Sequence, residues 1–268
     1  MSPSFDLAAY LARVGYAGSR SPTLATLQAL HARHAMTIAF EDLDPLLGRP
    51  VTLDVPSLEA KMVRGRRGGY CFEQNTLFRA ALESMGFQVQ AMLARMRWNR
   101  PPDLATARTH MVLRVDLPQG PYIADVGFGG HGLAEPLRLD TAASQRQSRG
   151  HYRLVPTGTA VELQVEIRDV WRPIHRLEAE PQSPIDFEAA NWFTATHPAS
   201  QFRHTLIMGL VGPEERYTLI NRILKTRRAD GSSTVRPLEK AVDLAKVLET
   251  VFGVVSPAPV EQVFARLP

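Results

Sequence analysis

The apolar positions of this chain change period along its length. In "DLAAYLARVGY", Leu7, Tyr10 and Leu11 recur at helical spacing, and the pattern stops near Gly15. "PTLATLQALHARHAMTI" repeats it through Leu24, Leu27 and Leu30, and "VPSLEAKMVRG" forms a third segment with Ser57 as its cap. A fourth opens at Cys71. In "CFEQNTLFRAALESMG", Asn75, Phe78, Leu82 and Met85 follow at steps of three and four, and Gly86 ends the run. From Phe87 the period falls to two. "FQVQAMLARMRW", "HMVLRVDL", "YIADVGF", "HYRLVPTG" and "VELQVEIRDVW" succeed one another between Pro, Gly and Ser punctuation. Val161, Leu163, Val165 and Ile167 alternate strictly with polar residues, as a half-buried antiparallel strand requires. Beyond "PQSP" the types mix: "RYTLINRILKTRRADGSSTVRPLE" predicts a hairpin around Ala229-Asp230-Gly231, and "LEKAVDLAKVLETVFG" an amphipathic helix. Helices, then strands, then a mixed tail predict an α+β fold rather than a doubly wound sheet.

Composition narrows the setting. A chain of 268 residues, 44% hydrophobic and 22% charged, has the make-up of a globular protein with a sizeable core. No apolar run approaches the roughly 18 residues of a membrane helix, and "MSPSFDLAAYLARVGY" lacks the basic and apolar regions of a signal peptide. One cysteine cannot close an internal disulfide, which fits a reducing compartment. A cytoplasmic protein with no membrane partner is expected. All but four of its 31 basic residues are arginine, whose planar forks suit phosphates and carboxylates. "KMVRGRR" and "KTRR" are too short to form a nucleic-acid arm, so no nucleic-acid partner is expected either. No feature speaks to an oligomeric state.

The single thiol stands out by position. Cys71 shares a helical stripe with Asn75, Phe78 and Leu82, so its side chain faces the protein. It also occupies the first turn of its helix, where free N–H groups and the dipole favour a thiolate. Gly68 and Gly69, just before it, allow a close backbone approach or unusual dihedrals. A nucleophilic thiol needs a histidine in reach and a group to orient the ring. Of eight histidines, His31 and His34 lie i, i+3 on a helix and read as a surface face. His151, His175, His197 and His204 lie beside turns or arginines with no acid in register, whereas His110 opens a strand whose successor carries Asp125. With a four-residue loop Leu117-Pro118-Gln119-Gly120, Asp116 pairs with Pro121 and His110 comes opposite Gly127. Asp125 then lies diagonally on the same face, about 7–8 Å away between Cα atoms; a one-residue slip would reverse its face. A structural cysteine, a satisfied strand histidine and a turn aspartate remain the alternatives, as does a zinc site using the same three side chains. With no C-x-x-C and no H-E-x-x-H in the chain, no metal is expected. "GFGGHG" at 127–132 matches a dinucleotide fingerprint, but "LAEPLRLD" follows and Pro136 bars the helix such a site needs. Its glycines are read instead as lining a cleft beside Asp125 that a ligand backbone or pantetheine arm can enter.

"YLARVGY", "FEDLDPLLGRPVTLD", "RRGGYCFEQN", "THMVLRV", "YIADVGFGG" and "NWFTATHPASQF", taken in order, resemble the arylamine N-acetyltransferases over nearly the whole chain. The resemblance implies an N-terminal helical bundle (1–86), a central antiparallel β-barrel (87–190) and a C-terminal α/β lid (191–268) around a cysteine-protease-like core. It makes Cys71 the acyl-accepting nucleophile, His110 its base and acid, and Asp125 the orienting carboxylate. Arg13, Glu41 and Arg67 would form a structural ion network. Phe40, Phe128 and Phe202 correspond to acceptor contacts, with Met96 where a branched aliphatic is usual. Thr106, Ala107, Gly127 and Gly129 fall where the coenzyme would pass. The implied activity is acetyl transfer from acetyl-coenzyme A, as a substrate and not a resident cofactor, to small arylamines or hydrazines. Macrolactam closure and cysteine hydrolase or transglutaminase chemistry use the same three side chains and stay open as alternatives.

Overall fold

The computed structural model describes residues 5–268 except 149, 179, 213 and 229. The first helix, α1 (Leu7–Val14), is capped by the Asp6 carboxylate, which accepts from Ala9 N, and ends on left-handed Gly15. α2 (Leu24–Thr37) starts at Thr23, whose hydroxyl accepts from Thr26 N. A short strand β1 (Phe40–Glu41) and helix α3 (Leu43–Leu46) follow. α4 (Val55–Leu58) is prolonged by a wider π-type turn to Arg64. Its cap is Asp54, accepting from Ser57 N, and not Ser57 as the sequence suggested. α5 runs Cys71–Ser84, and Gly86 beyond it takes φ +84.

The strands then come in order: β2 (Gln88–Met96), β3 (Arg108–Leu117), β4 (Gly120–Ala124), β5 (Leu137–Arg138), β6 (Gln145–Gln147), β7 (Gly150–Thr157), β8 (Ala160–Ile167) and β9 (Val170–Glu178). "VELQVEIRDVW" is therefore two strands: Arg168 and Asp169 both take positive φ and turn the chain. α6 (Pro184–Thr196) spans the 190/191 boundary, and β10 (Ile207–Val211), β11 (Glu215–Ile220), β12 (Ile223–Arg228) and β13 (Ser233–Pro237) precede α7 (Ala241–Val247) and α8 (Val260–Phe264). The tail holds a hairpin the sequence reading missed, at Asn221-Arg222, beside the expected one, of which Ala229 lies outside the described residues.

Two antiparallel sheets result. Eight strands in the order β5-β4-β3-β2-β9-β8-β7-β6 curl into a nearly closed barrel. Its seam is stitched by side chains: Gln145 bonds both ways to the Arg138 backbone, and Gln147 accepts from Ala134 N and Glu135 N. Five strands, β1-β10-β11-β12-β13, form the second sheet, so residues 40–41 of the helical third belong to it. β3 separates two cores by alternation. Met111, Leu113 and Val115 pack with Phe72, Phe78 and Leu82 of the helices, while Val112 packs inside the barrel with Ile123 and Ile174. His110 shares the Val112 face.

α2 contributes two buried histidines, against the surface face expected of them. His34 Nδ1 takes the Tyr10 hydroxyl at 2.9 Å while Nε2–H donates to Gln74 Oε1 at 2.7 Å. His31 Nε2 accepts from Asp125 N at 3.1 Å, leaving Nδ1–H for Ala134 O at 3.2 Å. Each ring is used as a neutral imidazole. Burial pushes His31 down to about 4 and His34 down to about 3. Below about pH 6.5 the unfolded chain binds protons that these folded rings refuse, so stability present above that pH is lost as pH falls toward 4. The melting temperature of wild type should accordingly fall more steeply from pH 6.5 to 4 than that of His34→Gln; equal slopes would contradict this assignment.

Candidate active site

The nucleophile's helix is placed by its two leading glycines. A Cβ on Gly68 would lie 2.1 Å from Ala39 O, and one on Gly69 2.9 Å from the Glu73 carboxylate. Their backbone runs against β1 instead, with Glu41 N donating to Gly69 O at 3.0 Å. Close approach, and not an unusual dihedral, is what excludes larger residues. Around this turn an ion network keeps the expected Glu41–Arg67 pair and extends it to Asp44, Lys61 and Glu73. Arg67 pairs with Glu41 and Asp44, and Lys61 with Asp44 and Glu73, whose carboxylate also accepts from Tyr70 N. Arg13 is not part of it; its guanidinium donates to Met62 O.

α5 then docks on β3 by two successive polar side chains on one face. Cys71 Sγ points to Thr109 O at 3.7 Å, and Asn75 Nδ2 donates to Met111 O at 2.7 Å. The helix advances about 6 Å between i and i+4 and the strand about 6.6 Å between i and i+2, so the two steps match. Between those carbonyls lies His110. Thr109 is the extra residue of a bulge, since Ala94 opposes His110 and Arg95 opposes Arg108.

The β3–β4 register is the one the four-residue loop required: Asp116 opposes Pro121 and Leu117 opposes Gly120. Pairing ends at Leu113–Ala124, so Asp125 leaves the strand and turns its carboxylate to His110. Oδ2 meets His110 Nε2 at 2.7 Å; Oδ1 accepts from Asn75 Nδ2 at 3.0 Å and Gly127 N at 2.9 Å. Burial alone would raise the Asp125 pKa, but His110, by charge and hydrogen bond, and His175 hold it far below the usual carboxylate range. His110 moves oppositely. Burial lowers it, and the charges of Asp125 and Cys71 outweigh burial and push it up to about 10. With Nε2 committed to Asp125, Nδ1 is the ring nitrogen left for the thiol. The arrangement can hold an imidazolium beside a sulfur anion, which is the equipment of nucleophilic acyl transfer.

Cys71, His110 and Asp125 are thus brought together from α5, β3 and the turn after β4. Phe128 packs edge-on to His110 at 5.6 Å between centroids, and Phe40 and Phe202 contact each other at 6.1 Å. Phe40, Phe128 and Gly129 line one narrow crevice with Asp125, and no helix follows the glycine-rich turn. Met96 ends β2 directly opposite His175. Thr106 and Ala107 lie on the segment entering β3; Arg95 donates to the Thr106 carbonyl, and Ala107 is exposed. Gly127 has a tighter role, because a Cβ there would lie 2.6 Å from Cys71 Cα and 2.8 Å from Asn75 Nδ2.

Sequence reasoning missed Asn75, His31 and His175. Asn75 sat in plain view as the one polar residue on an apolar stripe. His175, set aside for want of an acid, is fully buried with Nε2 3.6 Å from Asp125 Oδ2. Among the described residues, the grouping placed to ligate a metal is His110, Asp125 and His175, not the set with Cys71. Among the described residues no helix is long and apolar enough to cross a membrane.

A family model described as N-acetyltransferase matches residues 23–259. The arylamine N-acetyltransferase of Mycolicibacterium smegmatis is 39% identical over 94% of this chain and 92% of its own. A Salmonella typhimurium enzyme named arylamine N-acetyltransferase / N-hydroxyarylamine O-acetyltransferase is 41% identical over 75% of this chain and 72% of its own. The structure of Mycobacterium marinum arylamine N-acetyltransferase in complex with CoA superposes with a TM-score of 0.93 at 38% identity, covering 97% of this chain and 98% of that one.

Gly127→Ala is expected to unseat Cys71 from His110 and slow alkylation of the thiol by iodoacetamide at pH 7 by about tenfold or more (about 1.4 kcal/mol per tenfold); a wild-type rate would contradict the packing argument. With family model, barrel and relatives in agreement along nearly the whole length, this chain belongs to the arylamine N-acetyltransferase family.

Proposed function

We propose that the chain transfers an acetyl group from acetyl-coenzyme A to the nitrogen of arylamines, arylhydrazines or related amines through an acetyl-Cys71 intermediate. The observation that carries this reading is the 2.7 Å contact between His110 Nε2 and Asp125 Oδ2 beside the only cysteine of the chain. Cys71 sulfur attacks the thioester carbon, coenzyme A leaves as its thiol, and the imidazolium of His110 supplies the proton. The amine then enters, and His110 removes its proton as nitrogen attacks the acetyl carbon. The Cys71 N–H, in the first turn of α5 with no helical carbonyl ahead of it, is the donor we assign to the oxyanion. One such donor is worth about 2.7–4 kcal/mol.

Phe40, Met96, Phe128 and Phe202 are the acceptor contacts in this scheme, an aromatic wall with one adaptable thioether. Thr106, Ala107, Gly127 and Gly129 are assigned to the passing coenzyme; the packing of Gly127 on Cys71 sets that contact next to the thioester. We read residues 1–86 as the unit that carries the nucleophile and 87–190 as the one that carries His110 and Asp125. Residues 191–268 act as a lid over a cysteine-protease-like core. The name of the Salmonella relative supports a second acceptor class, the hydroxyl of N-hydroxyarylamines.

Incubation with acetyl-coenzyme A and no amine should add one acetyl group to wild type, seen by intact mass, and none to Cys71→Ala. Coenzyme A should be released before any amine is present. Release only after both substrates bind would contradict the scheme, and free acetate without a lasting adduct would make the protein a hydrolase.

A further inference from the structure

His175 is a buried polar group beside His110 and Asp125 that acetyl transfer does not employ. It lies on β9 opposite Leu163 and Met96, fully buried, with its ring 5.1 Å from that of His110. Among the described residues neither of its nitrogens has a hydrogen-bond partner. A desolvated imidazole without partners is costly. Nε2 nevertheless points at Asp125 Oδ2 from 3.6 Å. One ligand atom each from His110, Asp125 and His175 lies within 4.8 Å of the others.

Two imidazoles and a carboxylate are the donor set of zinc-class transition ions, whereas magnesium and calcium favour oxygen alone. Bonds of about 2.0–2.2 Å place ligand atoms roughly 3–3.6 Å apart. The His175–Asp125 separation already fits. The 2.7 Å His110–Asp125 contact must open by about half an ångström. Asn75 and Gly127 N hold Oδ1, which leaves Oδ2 free to ligate and fixes its direction.

We propose that His110, Asp125 and His175 form an inhibitory site for a zinc-class divalent ion arriving from solution. Oδ2 and the two Nε2 lone pairs bond to the ion as water leaves its hydration shell. The proton between His110 and Asp125 passes to solvent, and His175 keeps its single proton on Nδ1. No electron is transferred. His110 retains only Nδ1–H and has no lone pair for the thiol or amine proton, so transfer stops until the ion is withdrawn. Binding needs only this geometry; its inhibitory consequence rests on the proposed acetyl transfer.

Calorimetric titration of zinc chloride into the full chain carrying Cys71→Ala, which removes the thiolate as a rival ligand, should reveal one site per chain. Adding His175→Phe should weaken it about tenfold or more. His175→Gln, which keeps polarity but offers no imidazole lone pair, should do the same and serves if the first variant fails to fold. In the chain with Cys71 intact, zinc should inhibit, EDTA should restore activity, and His175 variants should withstand about tenfold more zinc. No binding to the Cys71→Ala chain, or unchanged affinity in the His175 variants, overturns the site and leaves His175 as a hydrogen-bond donor to Asp125. Loss of acetyl transfer with the calorimetric site intact would sink the functional reading and not this one.

Discussion

A negative charge buried at Asp125 is the constraint around which the molecule is arranged. An unpaired carboxylate in such a place would cost several kcal/mol or would take up a proton and cease to be an anion. Here each neighbouring element contributes to keeping it charged. α5 sends the Asn75 amide and β3 the His110 imidazole, while the turn itself supplies Gly127 N and α2 fixes the backbone through His31. The charge is then handed on: it raises His110 to about 10, which makes that ring an imidazolium at neutral pH beside Cys71. Hydrogen bonds to charged groups contribute about 1.5–3 kcal/mol each, so the grouping we propose for the chemistry also holds helices and barrel together.

Spacing does the remaining work. A helix repeat of four and a strand repeat of two have nearly equal rise, so Cys71 and Asn75 can address carbonyls on both sides of His110 in one docking. Glycines enforce the closeness this needs. Gly68 lets the turn before Cys71 lie against Ala39, and Gly127 lets the turn after Asp125 lie against Cys71 itself. Both are steric requirements, met without positive φ at either position.

Much of this was legible from residue order. Period three-to-four up to Met85 and period two after it divided helices from barrel, because each element buries one face and the repeat records which. A four-residue Leu117–Gly120 loop permitted the register that brings Asp125 to His110 without forcing it, since a single residue of slip would reverse the face; the structure adopts that register. What stayed hidden depended on contacts remote in sequence. His31 and His34 look like a solvated face until helix α2 is seen between α1, α5 and Asp125. The acids on the His175 strand and its neighbour, Glu178 and Glu162 among them, are not the one its ring faces; it meets Asp125 only because β9 closes against β2 in the barrel. Arg13 was assigned to an ion network by resemblance, whereas its guanidinium ends on a backbone carbonyl, and Lys61 takes the place. The Arg168-Asp169 turn was overlooked because neither residue is a glycine, although both adopt left-handed conformations.

The most direct test of the central claim is a titration of the His110 side-chain nitrogens by ¹⁵N NMR in wild type and in Asp125→Asn. The account predicts a ring in wild type that is protonated on both nitrogens at pH 7.5 and releases a proton near pH 10, with that value falling sharply once the carboxylate is neutralised. A wild-type ring that titrates near 6.5, or one indifferent to Asp125→Asn, would contradict it.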